Sequence, residues 1–403
     1  DNNNNLVSTG ISILSTVSES NGGKEIESVD SIKRFAPKIY SAYNRAVTAG
    51  DYEALIPKIY PETESVSAFG GEELNPPKYG KVFITIKPFY GPYVPDSIKN
   101  NLNTMLRKYS VAGIITEILD LKYLYVETHI NAYYNPSLAA NSDAVKAVVS
   151  NNITSYADSS EMNKYGAKFK YSKFQTVVDN SNDSITSNIT KIEIRRDLKP
   201  LLNQNAEYEL CFGNSFYIKN NNGYNIKSSG FKIFGVSDTV YMSDSPNADG
   251  RTGTLFLFTL ASRTNPTIIS NNVGTIEYGR GEILIKPINI ISTSKNVQNI
   301  PIIEISACPT SNDVIGLQDL YLQLDINNST IDMIADTVSS GDNTSGTLYT
   351  ATSSYMVGDI ARLTENEKAN TSLLSSDTYV VGENTQIGSA ANTIPAPVQQ
   401  TQY

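Results

Sequence analysis

The chain carries one histidine, His129, and two cysteines, Cys211 and Cys308, among 403 residues. That inventory limits the chemistry before any fold is considered. A lone imidazole cannot build a His-rich metal site, and most nucleophile–base–acid triads lose their base. His129 falls on the polar side of an alternating stretch, where a surface or interface role accounts for it. The cysteines lie far apart without CxxC spacing, so no zinc site is expected. Two buried free thiols are the simpler reading, and sequence alone deduces no disulfide. No S-x-x-K is accompanied by a matching second motif. Glu72-Glu73 is an adjacent carboxylate pair, but Gly and Pro around it predict a loop with solvated charge.

Three further groupings carry charge or glycine. Asp244-Ser245-Pro246-Asn247-Ala248-Asp249-Gly250 faintly suggests a calcium loop, yet Pro246 interrupts it and no Glu closes it, which predicts a hairpin turn. Gly279-Arg280-Gly281 is flanked by strand patterns with no helix to follow, so it is no phosphate cradle. Arg195-Arg196 with Lys199 reads as a solvated strand end. N-x-S/T triplets at Asn152, Asn188, Asn328, Asn343 and Asn370 are expected by chance in so Asn- and Thr-rich a chain. The expected catalytic, cofactor-binding and metal residues are therefore none. No enzyme activity, cofactor or small-molecule substrate is expected.

The sharpest local syntax lies between Tyr40 and Pro88. Thr48 and Asp51 stand at capping-box spacing ahead of Tyr52, Leu55, Ile56 and Ile59, which predicts a capped helix ended by Pro61. Glu64–Phe69 reads as a strand, Gly70-Gly71 and Asn75-Pro76-Pro77 as turns. Val82, Ile84 and Ile86 then alternate with Lys81, Phe83, Thr85 and Lys87 as a second strand.

The run Asn44-Arg45-Ala46-Val47-Thr48-Ala49-Gly50-Asp51-Tyr52, with Gly70-Gly71, Pro76-Pro77 and Gly80-x-Val82-x-Ile84-x-Ile86-x-Pro88, resembles the signature of baseplate J-like proteins. These are structural subunits of contractile phage tails and related injection machines. The compact motif spans about fifty residues, and the resemblance extends roughly to Pro200, where it points to baseplate wedge proteins. It implies repeated copies closing into a ring around a central tail hub, contacts with other wedge proteins, and a part in the rearrangement that triggers sheath contraction. It also implies a place in the virion tail baseplate, assembled in the host bacterial cytoplasm. Asp1 stands where an initiator Met would, so an upstream region is expected, and the resemblance implies that it would hold helices binding neighbouring wedge proteins.

The fold class expected is α+β and multidomain. Residues 1–27 read as an N-terminal β segment, with a strand pair over 6–20 broken at Gly10. Residues 28–200 read as a baseplate J-like α+β region. There Ile32, Phe35, Ile39 and Tyr43 mark a helix that Pro37 kinks or splits. Asp96-Ser97 caps a helix through Ile98, Leu102, Met105, Leu106 and Tyr109, and a third helix starts near Ser142 with Val145, Val148, Val149, Asn152, Ile153 and Tyr156 in register. Strands are expected at Ile114–Leu119, Tyr123–Tyr134 and Ile189–Ile194, and a helical piece at Phe174–Val178. On the second strand Leu124, Val126, Thr128, Ile130 and Ala132 face one way and Tyr123, Tyr125, Glu127, His129 and Asn131 the other.

Beyond Lys199-Pro200, residues 201–336 show short apolar runs between Asn, Gly and Ser clusters, the pattern of a β-rich sandwich or barrel-like body. Residues 337–403 form a polar C-terminal arm with apolar islands such as Ile360, Leu363 and Tyr379. Such a segment orders on a neighbouring copy or on the chain's own β body, or stays floppy.

The formal net charge of −9 argues against a general nucleic-acid or anionic-membrane binder. No run of eighteen apolar residues occurs, so no membrane-spanning helix is expected. Twenty-five tyrosines without a tryptophan suit either interfaces or β-sheet positions. The expected partners are the chain itself and other baseplate wedge proteins, with no nucleic acid and no membrane. The alternative class is a secreted β-rich adhesin or carbohydrate-binding module, suggested by the Tyr- and Asn/Ser/Thr-rich second half.

Overall fold

The Asp51 carboxylate accepts hydrogen bonds from the backbone amides of Thr48 (2.8 Å) and Val47 (3.0 Å). These donors stand at a helix start, where no helical carbonyl reaches them. Burial pushes the Asp51 carboxyl up, but the amide bonds outweigh it and hold it below its ordinary range. We describe the chain from a computed structural model, which covers residues 29–337, 360–364 and 367–368, except 75, 92, 140, 160, 163, 219–223, 263–264, 298 and 318. The expected N-terminal β segment 1–27 lies outside the described residues, as does most of the expected arm.

The chain divides into two compact units, the first ending at Asp120 and the second beginning at Leu121. The first contains α1 (Val29–Ala42), α2 (Ala49–Ile59), β1 (Thr63–Gly70), β2 (Lys81–Pro88), α3 (Asp96–Leu106) and β3 (Ile115–Leu119). β1 and β2 pair antiparallel, and α3 carries the chain to β3, parallel to β2. Tyr52, Leu55 and Ile56 of α2 and Leu102 and Leu106 of α3 pack on Val66, Val82, Ile84 and Ile86. Phe83 and Thr85, on the polar-looking side of β2, are buried too. The split expected at Pro37 does not occur: α1 runs as one helix through it. Its C-terminal end is instead marked by Tyr43 and Asn44, both at positive φ. Pro95, not Asp96, occupies the cap of α3, and Asp96 pairs with Lys99 at 3.0 Å in the first turn.

The second unit opens with β4 (Lys122–Tyr134), α4 (Ser142–Ala157), β5 (Lys168–Phe169), α5 (Tyr171–Asp179) and β6 (Ile185–Leu198). It continues with β7 (Asn205–Cys211), β8 (Lys227–Ser228), β9 (Phe231–Ile233), β10 (Tyr241–Pro246), β11 (Thr252–Ser262), β12 (Asn265–Glu277) and β13 (Glu282–Thr293). The last strands are β14 (Lys295–Val297), β15 (Ile300–Ala307), β16 (Val314–Ile315), β17 (Leu320–Leu324) and β18 (Thr330–Ala335). One sheet runs β14-β15-β6-β4-β17, with β18 also on β4 and β8 on β15; a second runs β10-β11-β12-β13-β7, with β9 on β13. One apolar core joins both sheets to α4 and α5, from Val126, Val149 and Phe174 to Leu257, Ile276 and Ile285.

The boundary expected at Lys199-Pro200 is therefore not a division between bodies. β6, before it, pairs antiparallel with β15, after it, with Leu198 opposite Ile303 and Arg195 opposite Ser306. β17 and β18 pair parallel with successive halves of β4. The composition shift at Pro200 marks a change from helices to strands, and strand pairing across a hundred residues leaves no local trace.

We expect Asp51→Ala to lower the stability of the first unit by about 1 kcal/mol, with Asp51→Asn recovering most of it because the amide oxygen still accepts. Denaturant titrations followed by far-UV circular dichroism check this. Equal midpoints for Ala and wild type would show that the cap contributes nothing.

Candidate functional site

Alternation gives the β15-β6-β4 sheet two unlike faces. Leu124, Val126, Ile192, Ile194, Ile303 and Ile305 enter the apolar core. The residues between them point the opposite way, and several are charged yet buried: Glu127, Glu193, Arg195 and Glu304. Register sets Glu127 directly opposite Glu193 and Tyr125 opposite Arg195. Like charges opposite one another repel, so cations must reach this face.

Two guanidinium groups do so. Arg195 donates from Nη1 to Glu127 Oε1 at 2.7 Å, lies 2.9 Å from Asp325, and places its guanidinium carbon 4.3 Å from the centre of the Tyr125 ring. Its Nε approaches Asp197 to 3.0 Å in an ion pair without hydrogen-bonding alignment. Arg362 forks onto both oxygens of Glu127 at 2.7 and 2.8 Å and donates from Nε to Glu304 at 3.0 Å. Lys227 of β8 reaches Glu193 at 3.0 Å, and Lys295 of β14 reaches Glu304 at 2.8 Å. Ser306 donates to the second Glu193 oxygen at 3.3 Å.

The protonation states follow these partners. Burial, aided by Glu193, pushes Glu127 up despite its two arginines. For Glu193 and Glu304, burial is outweighed by Lys227, Lys295 and the arginines, and both carboxyls stay below their ordinary range. Asp197 is pushed up to about 6 by burial, against the pull of Arg195. Burial also pulls the His129 imidazole down; its Nδ1 lies 3.0 Å from the Thr330 hydroxyl.

Arg362 comes from the expected arm. Its amide donates to the Ser228 carbonyl at 2.9 Å, and it forms a parallel bridge with Ser229. Ile360, Ala361 and Leu363 are buried among Tyr241, Phe256, Phe258 and Cys308. The Glu367 carboxylate accepts from Thr364 N at 2.7 Å and from Ser294 Oγ at 2.7 Å. The described part of the arm thus lies on the chain's own β body.

Comparison with known proteins adds the family context. Residues 48–119 match the family model "Baseplate structural protein gp6, C-terminal domain I", and residues 122–197 match "C-terminal domain III" of the same protein. These two stretches are similar to gp6-type baseplate domains. The chain is also 23% identical over 180 residues to baseplate wedge protein gp6 of Enterobacteria phage T4, an alignment covering 44% of this chain and 26% of that protein. The matches name gp6, not the baseplate J-like family expected from the motif. The break between the two gp6-type stretches coincides with the division at Asp120 and Leu121. Glu127, Glu193, Arg195 and Asp197 all fall in the domain III stretch.

The residues singled out in the sequence are scattered across this framework. Arg195 and Arg196 are buried, which corrects the expected solvated strand end; the strand continues past them to Leu198 and pairs on both sides. Arg196 donates to the Cys211 carbonyl at 2.6 Å. His129 is part-buried. Cys308 is buried and Cys211 part-buried; both are free thiols, raised by burial. Asp244 to Gly250 spans the end of β10 and its hairpin turn into β11. Asp244 itself is buried, accepting from Tyr278 Oη at 2.7 Å and Ile226 N at 2.8 Å. Glu72 and Glu73 are exposed, and Arg280 is an exposed turn residue beside Glu277 and Glu282. Among the described residues no group of three His, Cys, Asp or Glu side chains is placed to hold a metal ion. Sequence reasoning missed Glu193, Glu304, Lys227 and Arg362 as members of one cluster. The available signal was the spacing Glu193, Arg195, Asp197 inside an Ile-rich strand.

The network acts as a structural clamp, and its charges predict two responses. Arg195→Ala should cost about 3–5 kcal/mol, since it strands buried carboxylates. Lys81→Ala, which breaks the half-exposed pair with Glu117 at 2.9 Å, should cost less than about 1 kcal/mol. Denaturant midpoints of the two variants decide; equal costs would deny the network its role.

Asp197, raised in the folded state, disfavours folding above about pH 6, and this cost fades as pH falls toward the unfolded value. Asp197→Asn should therefore gain stability relative to wild type on going from pH 5 to pH 8, by roughly 1.5 kcal/mol. A difference that stays flat or runs the other way over that window would refute the assignment.

Proposed function

We infer that this chain is a structural subunit of a contractile phage tail baseplate wedge. One observation carries the reading: two consecutive gp6-type stretches, 48–119 and 122–197, whose junction falls where the folded chain itself divides. The finer statement follows the resemblance carried by the Asn44–Tyr52 run. Copies close into an oligomeric ring around the central hub, contact other wedge proteins, and take part in the rearrangement that triggers sheath contraction. The chain works in the virion, at the tail baseplate, after assembly in the host cytoplasm, and it catalyses no reaction.

The buried ion network suits such a role. A subunit that transmits force needs strands fixed in register, and charged residues on a covered sheet face penalise any slip. The test is immunogold electron microscopy of purified virions with antibodies against this chain, together with mass spectrometry of isolated tails. Labelling at the baseplate end in several copies per particle is expected. Particles that contain none of the chain would overturn the reading.

A further inference from the structure

The Arg362 segment occupies a seat with three matched parts. The first is electrostatic: the forked contact to Glu127 and the Nε bond to Glu304 suit a planar guanidinium and not a point charge. The second is apolar, since Ile360, Ala361 and Leu363 are covered by Tyr241, Phe256, Phe258 and Cys308. The third is the backbone, where the Arg362 amide bonds the Ser228 carbonyl and the segment runs as a short parallel addition beside β8. Strand addition plus side-chain recesses is a general mode of recognising an extended peptide. With the seat empty, Glu127 would stand opposite Glu193 with the Arg362 charge withdrawn, a buried arrangement that strongly favours recapture of a guanidinium.

Nothing in the seat depends on the path by which the segment arrives. Ala335, the last residue of β18, and Ile360 are far enough apart in sequence for covalent geometry to permit a separation of up to about 80 Å. A segment held through its own local contacts can be delivered by any copy within that reach, and exchange of an identical element between copies is a low-cost route to association.

We propose that the groove formed by Glu127, Glu304, Ser228 and the Tyr241–Phe256–Phe258 recess is a docking site for an arginine-bearing extended segment, and that in the assembly it takes Ile360–Leu363 from a second copy of this chain. The recognition half stands on the seat alone; the second-copy half rests on the oligomeric reading above.

Two measurements on the full chain test the two halves. In the first, a site-specific protease sequence is placed between residues 338 and 359, the purified chain is nicked, and a fluorescent peptide spanning residues 356–370 is added. Saturable uptake is expected, with the Arg362→Ala peptide weaker by at least about thirtyfold and Arg362→Lys falling between. Absence of uptake, or equal affinity of the three peptides, overturns the docking site. Because the substitution sits in the peptide, a folding defect in the chain cannot imitate this result. In the second, sedimentation equilibrium compares the intact chain with Arg362→Ala from one to a hundred micromolar. A mass above one chain that Arg362→Ala reduces is expected. A single-chain mass throughout, or association that Arg362→Ala leaves unchanged, overturns the second-copy occupant. Chain missing from virions would sink the functional reading while leaving the peptide result in place.

Discussion

Glu127 and Glu193 face each other across adjacent strands on a covered side of a sheet, and the second unit is built so that both find cations there. No residue near them in sequence can do this completely. Arg195 lies two positions beyond Glu193, but its guanidinium is shared among Glu127, Asp325 and Asp197. Lys227 arrives on β8 and Arg362 from the arm beyond residue 337. A buried ion network is weak evidence for net stability, since apolar replacements of equal volume often do as well. What it provides is register. Sliding β6 by one residue would turn Glu193, Arg195 and Asp197 into the apolar core and Ile192 and Ile194 onto the charged face.

That constraint accounts for the topology around it. β4 is central, flanked by β6 on one side and by β17 and β18 on the other, so both of its edges are paired. The turn between β17 and β18 supplies Asp325, which takes one Arg195 nitrogen and also accepts from Asn327 N and Asn328 Nδ2. The parallel strands thus contribute to the network through their connection as well as through the ladder. Among its described residues the first unit shows no comparable ion network. Its organising contact is a helix start, and its core is apolar.

Much of this was legible where the signal is local. The Thr48–Asp51 spacing gave the helix start, and alternation at Tyr123–Tyr134 gave both faces of β4. The apolar runs Tyr208–Phe212, Phe231–Val236, Leu255–Leu260, Val273–Tyr278, Ile283–Ile288 and Ile302–Ile305 marked β7, β9, β11, β12, β13 and β15, whereas the run from Ser215 gave only an isolated bridge at Phe216. β10 was missed because its apolar residues stop at Met242, before Ser243, Asp244, Ser245 and Pro246. The charged face was hidden for a different reason. Glu193, Arg195 and Asp197 look solvent-facing on their own strand, and only partners more than thirty and more than a hundred and fifty residues away make them interior. The domain boundary failed likewise: β15 closing onto β6 is a non-local event, and Pro200 is a local one. Arg362 sat in a polar tail with nothing to distinguish it except its apolar neighbours.

The position of the network relative to the gp6-type stretch carries one more consequence. Within residues 122–197, the cluster consists of Glu127, Glu193 and Asp197 with Arg195 as its cation. Lys227, Lys295 and Arg362, along with Glu304 and Asp325, all follow that stretch. The domain III stretch on its own therefore carries an acidic excess on a face that the full chain covers. Ionised carboxylates taken from water without partners cost several kcal/mol each, so this stretch depends on the strands after it for charge as well as for hydrogen bonds. The later residues are part of the same folding unit because they neutralise it.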